Sequence, residues 1–283
     1  MFVYMNGSVL PVEQAKLSVF DHGYMYGLGI FETFRIYDGH PFLLDDHFRR
    51  LKEGLLQLGI QWSMEKEAVY TVLEQLLKEN KLHDAYVRWN VSAGVEDLGL
   101  YTGIYEKPTT VVYMKSLPSS MAQHKKAQIL DIRRNTPEGS FRLKSHHYLN
   151  NVLAKREIGD NVNVEGIFLS QDGYVAEGIV SNVFWVKGGT VYTPSLETGI
   201  LNGVTRQFIL KLLQKEGISY VEGLFNQQAL LEADEAFVTN SIQEVLSLTS
   251  CNHIEFPTNN PITTWLQKQY AHARKLLISK DEL

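Results

Sequence analysis

Lys144 lies in the run Arg142-Leu143-Lys144-Ser145-His146-His147-Tyr148-Leu149-Asn150-Asn151, and Glu177 follows in Ala176-Glu177-Gly178. A primary amine condenses reversibly with an aldehyde, provided that partial desolvation leaves it unprotonated near neutral pH. Lys144 follows an apolar residue at the corner between a predicted strand and a predicted helix, where a lysine can be partly shielded from water. Glu177 comes after a turn, at the end of a later strand, and a carboxylate so placed can pair with a protonated ring nitrogen. The chain has 17 lysines, so residue type and setting alone do not single out Lys144.

Other chemistries find less support. No His-x-x-x-His or paired-cysteine pattern accompanies the nine histidines, which argues against a dedicated transition-metal site. The adjacent His146 and His147 would diverge on a helix. Gly-Tyr-Met-Tyr-Gly-Leu-Gly has glycines at 23, 27 and 29, but it precedes a strand, so it is no dinucleotide fingerprint, and there is no Walker loop. The single cysteine, Cys251, excludes an intramolecular disulfide and a thiolate cluster and suits a reducing cytosol. A net charge of −5 with scattered basic residues recruits no nucleic acid. No segment approaches the ~18 consecutive apolar residues of a membrane span and the N-terminus has no signal-peptide pattern, so a cytoplasmic protein is expected. The terminal Lys280-Asp281-Glu282-Leu283 spells a retention address that is meaningful only after entry into the endoplasmic reticulum, and it is read as coincidence.

These side chains need elements to position them. Asn6-Gly7 and Asp38-Gly39 predict hairpin turns, with a strand over Ile30 to Tyr37 between them. The glycines at 23, 27 and 29 mark tight turns or a backbone passing close to a ligand. Asp45 is expected to cap a helix carrying Phe48, Leu51, Leu55 and Leu58, with Gly59 as its stop, and Ser63 a second carrying Val69, Val72, Leu73, Leu76 and Leu77. Strands follow at Tyr86 to Val91 and Thr109 to Met114. A linker around Pro118 at 116–123 separates a domain at 1–115 from one at 124–283. The second half predicts a strand over Ala127 to Arg133 and a helix over His146 to Ile158, with Leu149, Val152 and Leu153 on one face and Gly159 ending it. Hairpin turns at Asp172-Gly173 and Gly188-Gly189 come next, then a helix over Val204 to Lys215 that stops at Gly217. A strand over Glu235 to Thr239 ends at Asn240-Ser241, and a final helix runs over Ile262 to Leu277.

Taken in order, DHGYMYGLGIFETFR, RLKSHHYLNN, AEGIVSNVFWVKGGTVYTPS, GILNGVTRQFIL and FVTNS resemble the pyridoxal-phosphate enzymes of fold type IV. That group holds branched-chain aminotransferases, D-amino-acid aminotransferases and aminodeoxychorismate lyases, and the likeness spans nearly the whole chain. YGLGIFETFR and RRNTPEGSFRLKSHHYLNN look most like the aminodeoxychorismate lyases of Gram-positive type. The resemblance implies an α+β protein of two domains, a small mixed α/β N-terminal domain and a larger β-barrel-like C-terminal one. It implies that Lys144 forms the imine with pyridoxal phosphate and that Glu177 pairs with the pyridine nitrogen. Arg50 in HFRRL, Val204 and Thr205 at a helix start, and Asn240 with Ser241 are implied to grip the phosphate. Leu201 would pack on one ring face and Tyr148 would bond the ring hydroxyl.

For the lyases the resemblance implies conversion of 4-amino-4-deoxychorismate to 4-aminobenzoate and pyruvate, with Lys144 also acting as base and Thr33 protonating the departing group. Gly27-Leu28-Gly29 stands where many relatives read Gly-Asp-Gly. Ser92-Ala93-Gly94 stands where some lyases carry Ser-Arg-Gly, so the arginine often invoked for a substrate carboxylate is missing there, leaving Arg88 or Arg142 as substitutes. A D-amino-acid or branched-chain aminotransferase would use the same lysine, glutamate and phosphate grip. Phe31 bears on this choice, because D-amino-acid enzymes commonly place a tyrosine hydroxyl there. A catalytically silent binding protein of the same fold is a third class. Family members are generally homodimers, which the resemblance implies here as well.

Overall fold

The structure, a computed structural model, describes residues 1–117 and 124–283. Of the expected linker at 116–123, residues 118–123 lie outside the described residues. The described chain folds into two compact units. One takes in 1–117, Leu143–His147 and Lys275–Ser279, and the other 124–142, Tyr148–Arg274 and Lys280–Leu283.

The first unit is built on a six-stranded antiparallel sheet. Its strands are β1 (Phe2–Met5), β2 (Ser8–Pro11), β3 (Gly29–Tyr37), β4 (His40–Pro41), β5 (Ala85–Ser92) and β6 (Thr109–Lys115), in the order β2-β1-β6-β5-β3-β4. Asn6 and Gly7 both take positive φ, as the tight β1–β2 turn requires, and so do Asp38 and Gly39 between β3 and β4. Strict alternation divides β3 and β5 between two faces. Ile30, Phe34, Ile36, Val87, Trp89 and Val91 are buried in the core against Phe48, Leu51, Leu55, Val72, Leu73 and Leu76 of two helices, α2 (Leu44–Gln57) and α3 (Lys66–Asn80). Phe31, Thr33, Arg88 and Asn90 share the opposite face, where Thr33 pairs with Arg88 and Phe31 with Asn90. A short helix, α1 (His22–Tyr26), precedes β3 where only turns were expected.

Both expected caps are displaced. α2 starts at Leu44 after Leu43, a buried residue in the left-handed region, and Asp45 sits in its first turn. The amides of Leu43 and Asp45 donate to the carbonyls of Leu277 and Ile278, so backbone from the far end of the chain does the capping that a side chain was expected to do. α3 starts at Lys66 after Glu65, two residues beyond Ser63, because Trp62 and Met64 pack on the core and keep the chain extended.

The second unit holds a nine-stranded mixed sheet. Its strands are β7 (His124–Ile129), β8 (Val164–Leu169), β9 (Val175–Gly178), β10 (Asn182–Lys187), β11 (Thr190–Pro194), β12 (Tyr220–Gly223), β13 (Glu235–Asn240), β14 (Glu244–Cys251) and β15 (Ile254–Glu255). They follow the order β12-β11-β10-β13-β14-β7-β8-β9, with β15 on β14. The Val175 amide donates to the Phe225 carbonyl at 2.7 Å, and Tyr174 bridges Asn226, so the β9 end meets the chain just past β12 and the sheet curls into the expected barrel-like form. Its helices are α4 (Leu149–Ile158), α5 (Val204–Lys215), α6 (Gln227–Leu231) and α7 (Pro261–Ala273).

Two expectations shift here. β7 ends at Ile129 because the Asp131 and Ile132 amides turn to the Glu157 carboxylate. α4 begins at Leu149 because Ser145 pairs with Ile30 and holds the residues before it extended. The apolar face of this helix is the outer one: Leu149, Val152 and Leu153 are exposed while Asn151 and Ala154 are buried. Asn151 is drawn in by its bonds to Arg134 and to the Ile179 carbonyl. Among the described residues, no helix is long and apolar enough to cross a membrane.

Candidate active site

In the first unit, residues 144–146 run antiparallel to the start of β3. The Phe31 amide donates to the Lys144 carbonyl at 2.9 Å and the His146 amide to the Gly29 carbonyl at 3.0 Å. The glycines that preceded β3 in the sequence make this pairing possible. A Cβ on Gly29 would lie 2.5 Å from the His146 ring and 2.8 Å from the Val91 carbonyl, and one on Gly27, whose φ is +71°, would lie 2.8 Å from His147. Their close approach is therefore to the histidines flanking Lys144, which face these glycines and do not lie on a helix. Gly29→Ala is expected to destabilise the protein by about 1–3 kcal/mol through forced displacement of that segment. Urea unfolding would measure it, and an unchanged midpoint would mean that His146 yields freely.

Lys144 Nζ sits 4.6 Å from the centre of the buried Phe31 ring, and the Arg88 guanidinium lies 3.7 Å from the same centre. His146 stacks on Phe31 with ring centres 6.3 Å apart. Its Nε2 is buried with no hydrogen-bond partner. Burial, with the charge of Arg88, pushes the His146 imidazole down to about 4. The unfolded chain therefore takes up a proton below 6.5 that the folded protein refuses. This contribution to stability is complete above pH 6.5 and falls away as the pH drops towards 4. Between pH 7 and 4.5, the wild type is expected to lose roughly 2 kcal/mol more than His146→Asn in urea unfolding. Equal losses in the two proteins would refute this.

On the core face of β3, Glu32 is fully buried and held by α2. Arg50 Nε donates to Glu32 Oε1 and Nη2 to Oε2, both at 2.7 Å, a two-pronged pair, and His47 Nδ1 lies 2.7 Å from Oε2. Burial alone would raise the Glu32 carboxyl, but Arg50 and His47 overcome it and hold it at about 2. Burial, aided by the charges of Arg50 and Lys144, holds His47 below its ordinary value against the pull of Glu32. The short contact is thus a neutral imidazole donating its Nδ1–H. Arg50 is fixed in orientation by this carboxylate.

In the second unit, Glu177 closes β9 with its carboxylate buried among donors. Arg134 Nε donates to Oε1 at 2.8 Å, the Leu201 amide donates to Oε2 at 3.0 Å, and Arg142 Nε lies 3.7 Å from Oε1. Arg142 is further anchored by the Gly199 and Asn135 carbonyls. Val204 and Thr205 form the buried first turn of α5, whose N-cap, Gly203, offers no side chain to its free amides. Thr205 Oγ1 lies 3.3 Å from Ser241 Oγ, and Asn240 Oδ1 accepts from the Ile242 and Gln243 amides, shaping the turn that presents Ser241. Leu201 also accepts from Asn182 Nδ2 through its carbonyl, and Tyr148 stands immediately before α4.

The residues expected from the sequence thus fall into two sets. Lys144, Thr33 and Arg50 belong to the first unit, and Tyr148, Glu177, Leu201, Val204, Thr205, Asn240 and Ser241 to the second. Sequence reasoning missed Glu32, His47 and Arg134. A signal existed for Glu32, a charged residue at an inward position of the apolar run Gly-Ile-Phe-Glu-Thr-Phe, which demands a buried partner. Nothing local distinguished Arg134 from Arg133. Among the described residues, no group of three or more His, Cys, Asp or Glu side chains could hold a metal ion.

A curled mixed sheet, a lysine on a strand-like segment and a helix start with uncapped amides define a class. The family model for amino-transferase class IV matches residues 29–251, and the chain belongs to that family. It is similar to the aminodeoxychorismate lyase of Bacillus subtilis (strain 168), with 49% identity over 280 residues, 98% of this chain and 96% of that protein. It is 31% identical to the D-alanine aminotransferase of Bacillus licheniformis over 254 residues, 88% of each chain. Among solved structures, it matches Escherichia coli branched-chain amino acid aminotransferase with a TM-score of 0.87 and 25% identity, covering 97% of this chain and 94% of that one.

Proposed function

We propose that the protein is a pyridoxal-phosphate-dependent lyase that converts 4-amino-4-deoxychorismate to 4-aminobenzoate and pyruvate. The near-complete likeness to the Bacillus subtilis lyase carries this reading. The residues present suit the cofactor. The uncapped start of α5, with the Thr205 and Ser241 hydroxyls, is a donor set for a phosphate, and Gly203, where a Cβ would collide with Asn182, keeps that backbone accessible. Glu177, oriented by Arg134 and Leu201, suits a protonated pyridine nitrogen.

When bound, the cofactor supplies an aldehyde to carry the substrate's 4-amino group and an electron-poor ring to accept charge. Lys144 Nζ would hold the cofactor's aldehyde carbon and would serve as the base for the proton on the substrate carbon that bears the amine. Loss of that proton would expel the enolpyruvyl group by breaking its ring carbon–oxygen bond, and Thr33 Oγ1 would pass a proton, replaced from water, to the departing enol, which becomes pyruvate. Glu177 would hold the ring nitrogen protonated, Leu201 would pack on the ring and Tyr148 would bond its hydroxyl. Arg50, Val204, Thr205, Asn240 and Ser241 hold the phosphate. The same reading makes the protein a cytoplasmic homodimer, supported by the exposed Val95, Leu98, Leu100, Tyr101 and Ile104 in one loop of the first unit.

The test supplies the cofactor-loaded protein with 4-amino-4-deoxychorismate, and separately with D-alanine and 2-oxoglutarate. Equal amounts of 4-aminobenzoate and pyruvate are expected in the first. Faster glutamate formation in the second would overturn the lyase in favour of an aminotransferase. Phe31, which has no hydroxyl to offer an amino-acid carboxylate, supports the lyase.

A further inference from the structure

Arg88, which shares the Phe31 ring with Lys144, is a cation with no counter-ion among the described residues. Arg88 projects from β5 onto the face that carries Phe31 and Thr33, with Thr33 as its direct cross-strand neighbour. Its guanidinium rests 3.7 Å from the centre of the Phe31 ring, which also lies under Lys144 Nζ. Among the described residues its one hydrogen bond is from Nε to Asn90 Oδ1 at 3.1 Å, and no carboxylate pairs with it. The terminal amino groups thus keep their donors, on a half-buried side chain flattened against an aromatic face. A fork of two parallel N–H donors matches a carboxylate. His146, stacked on the same ring with a buried and unpartnered Nε2, adds a polar group but no competing acid.

The other candidates are engaged or absent. Arg142 spends its donors on the Gly199 and Asn135 carbonyls and lies against Glu177. Position 93 holds an alanine that is 2% exposed within the apolar core, so no arginine stands there. The proposed substrate carries an amine and a ring carboxylate at opposite ring carbons. An amine-handling lysine 4.6 Å and a guanidinium 3.7 Å from the centre of one phenyl ring suit such a molecule.

We propose that Arg88 binds the ring carboxylate of the substrate and so selects an amino acid whose carboxylate lies across a ring from its nitrogen. This rests on the lyase reading for the identity of the substrate, but its test does not need turnover. Binding of 4-aminobenzoate and of aniline, which lacks the carboxylate, is measured by calorimetry on cofactor-loaded wild type, Arg88→Gln and Arg88→Lys. The wild type should prefer 4-aminobenzoate by about 10–100-fold, the worth of a charge-assisted hydrogen bond. Arg88→Gln should lose that preference with aniline binding unchanged. Arg88→Lys, which keeps the charge and loses the fork, should retain part of it. In steady state with 4-amino-4-deoxychorismate, KM should rise by a similar factor in Arg88→Gln with kcat within a few-fold. A preference unchanged in both variants overturns the assignment, and should the glutamine variant not fold, an unchanged preference in the lysine variant does so alone. A wild type that releases no pyruvate refutes the lyase reading instead, and the comparison of the two ligands still judges Arg88.

Discussion

Replacing Lys144 with alanine abolishes both the formation of 4-aminobenzoate and the visible absorbance of the bound cofactor, with turnover falling by about 10⁴-fold or more. The expectation is this large because one side chain is assigned both the attachment of the cofactor and the transfer of the proton. The backbone of the segment is held by the Phe31 amide on the Lys144 carbonyl and by the His146 amide on the Gly29 carbonyl, and both bonds survive truncation of the side chain. The Phe31 ring keeps its contacts with Arg88 and His146. Unfolding free energy should therefore move by only about 0.5 kcal/mol, as for a substitution away from the core. An absorbance spectrum and a urea titration separate the chemical loss from a structural one. Cofactor absorbance retained in the variant would mean that a different lysine carries the cofactor.

Glu177→Gln combines the second-largest loss of activity with a loss of stability. The carboxylate accepts from Arg134 and from the Leu201 amide and lies near Arg142, and all three surround it in a buried pocket. An amide of the same size turns one acceptor into a donor and leaves two guanidinium groups without their shared counter-ion. Breaking a buried pair by removing one partner costs about 3–5 kcal/mol. The protein without cofactor is therefore expected to unfold at clearly lower urea concentration. Turnover of the loaded enzyme should fall by about 100-fold or more as the ring nitrogen loses its partner. Glu177→Asp, with the charge kept on a shorter arm, should recover stability more than activity. Unchanged stability together with turnover within tenfold of wild type would remove Glu177 from this role.

Much of the local structure was legible because it rests on local chemistry. Asn6-Gly7, Asp38-Gly39, Asp172-Gly173 and Gly188-Gly189 read as turns because few residues accept positive φ, and each pair lies at a turn. α5 begins and ends where its apolar spacing and Gly217 said it would. Ordered motifs also brought Lys144, Glu177 and Thr205 forward, which no single residue type could have done. The failures share one cause, the replacement of a local rule by a distant partner. Asp45 lost the cap of α2 to carbonyls more than 200 residues away. The apolar face of α4 lies outward because Asn151 is claimed by Arg134 and the Ile179 carbonyl. Gly27 and Gly29, at the entry to β3, leave room for His147 and His146, and Gly27 also takes the positive φ of a tight turn.

The segment Lys275–Ser279 carries a consequence for how the chain is made. It belongs to the first unit and supplies the carbonyls of Leu277 and Ile278 to the start of α2, while Leu277 also accepts from His40. Those carbonyls lie more than 200 residues after the helix they close, so the N-terminal part cannot complete the start of α2 until that later stretch has been made. The pairing of Lys144 with β3 imposes an earlier wait of the same kind. Closing such long loops is slow and leaves apolar surface open in the meantime. The reactive amine is therefore seated well after synthesis of its strand partner.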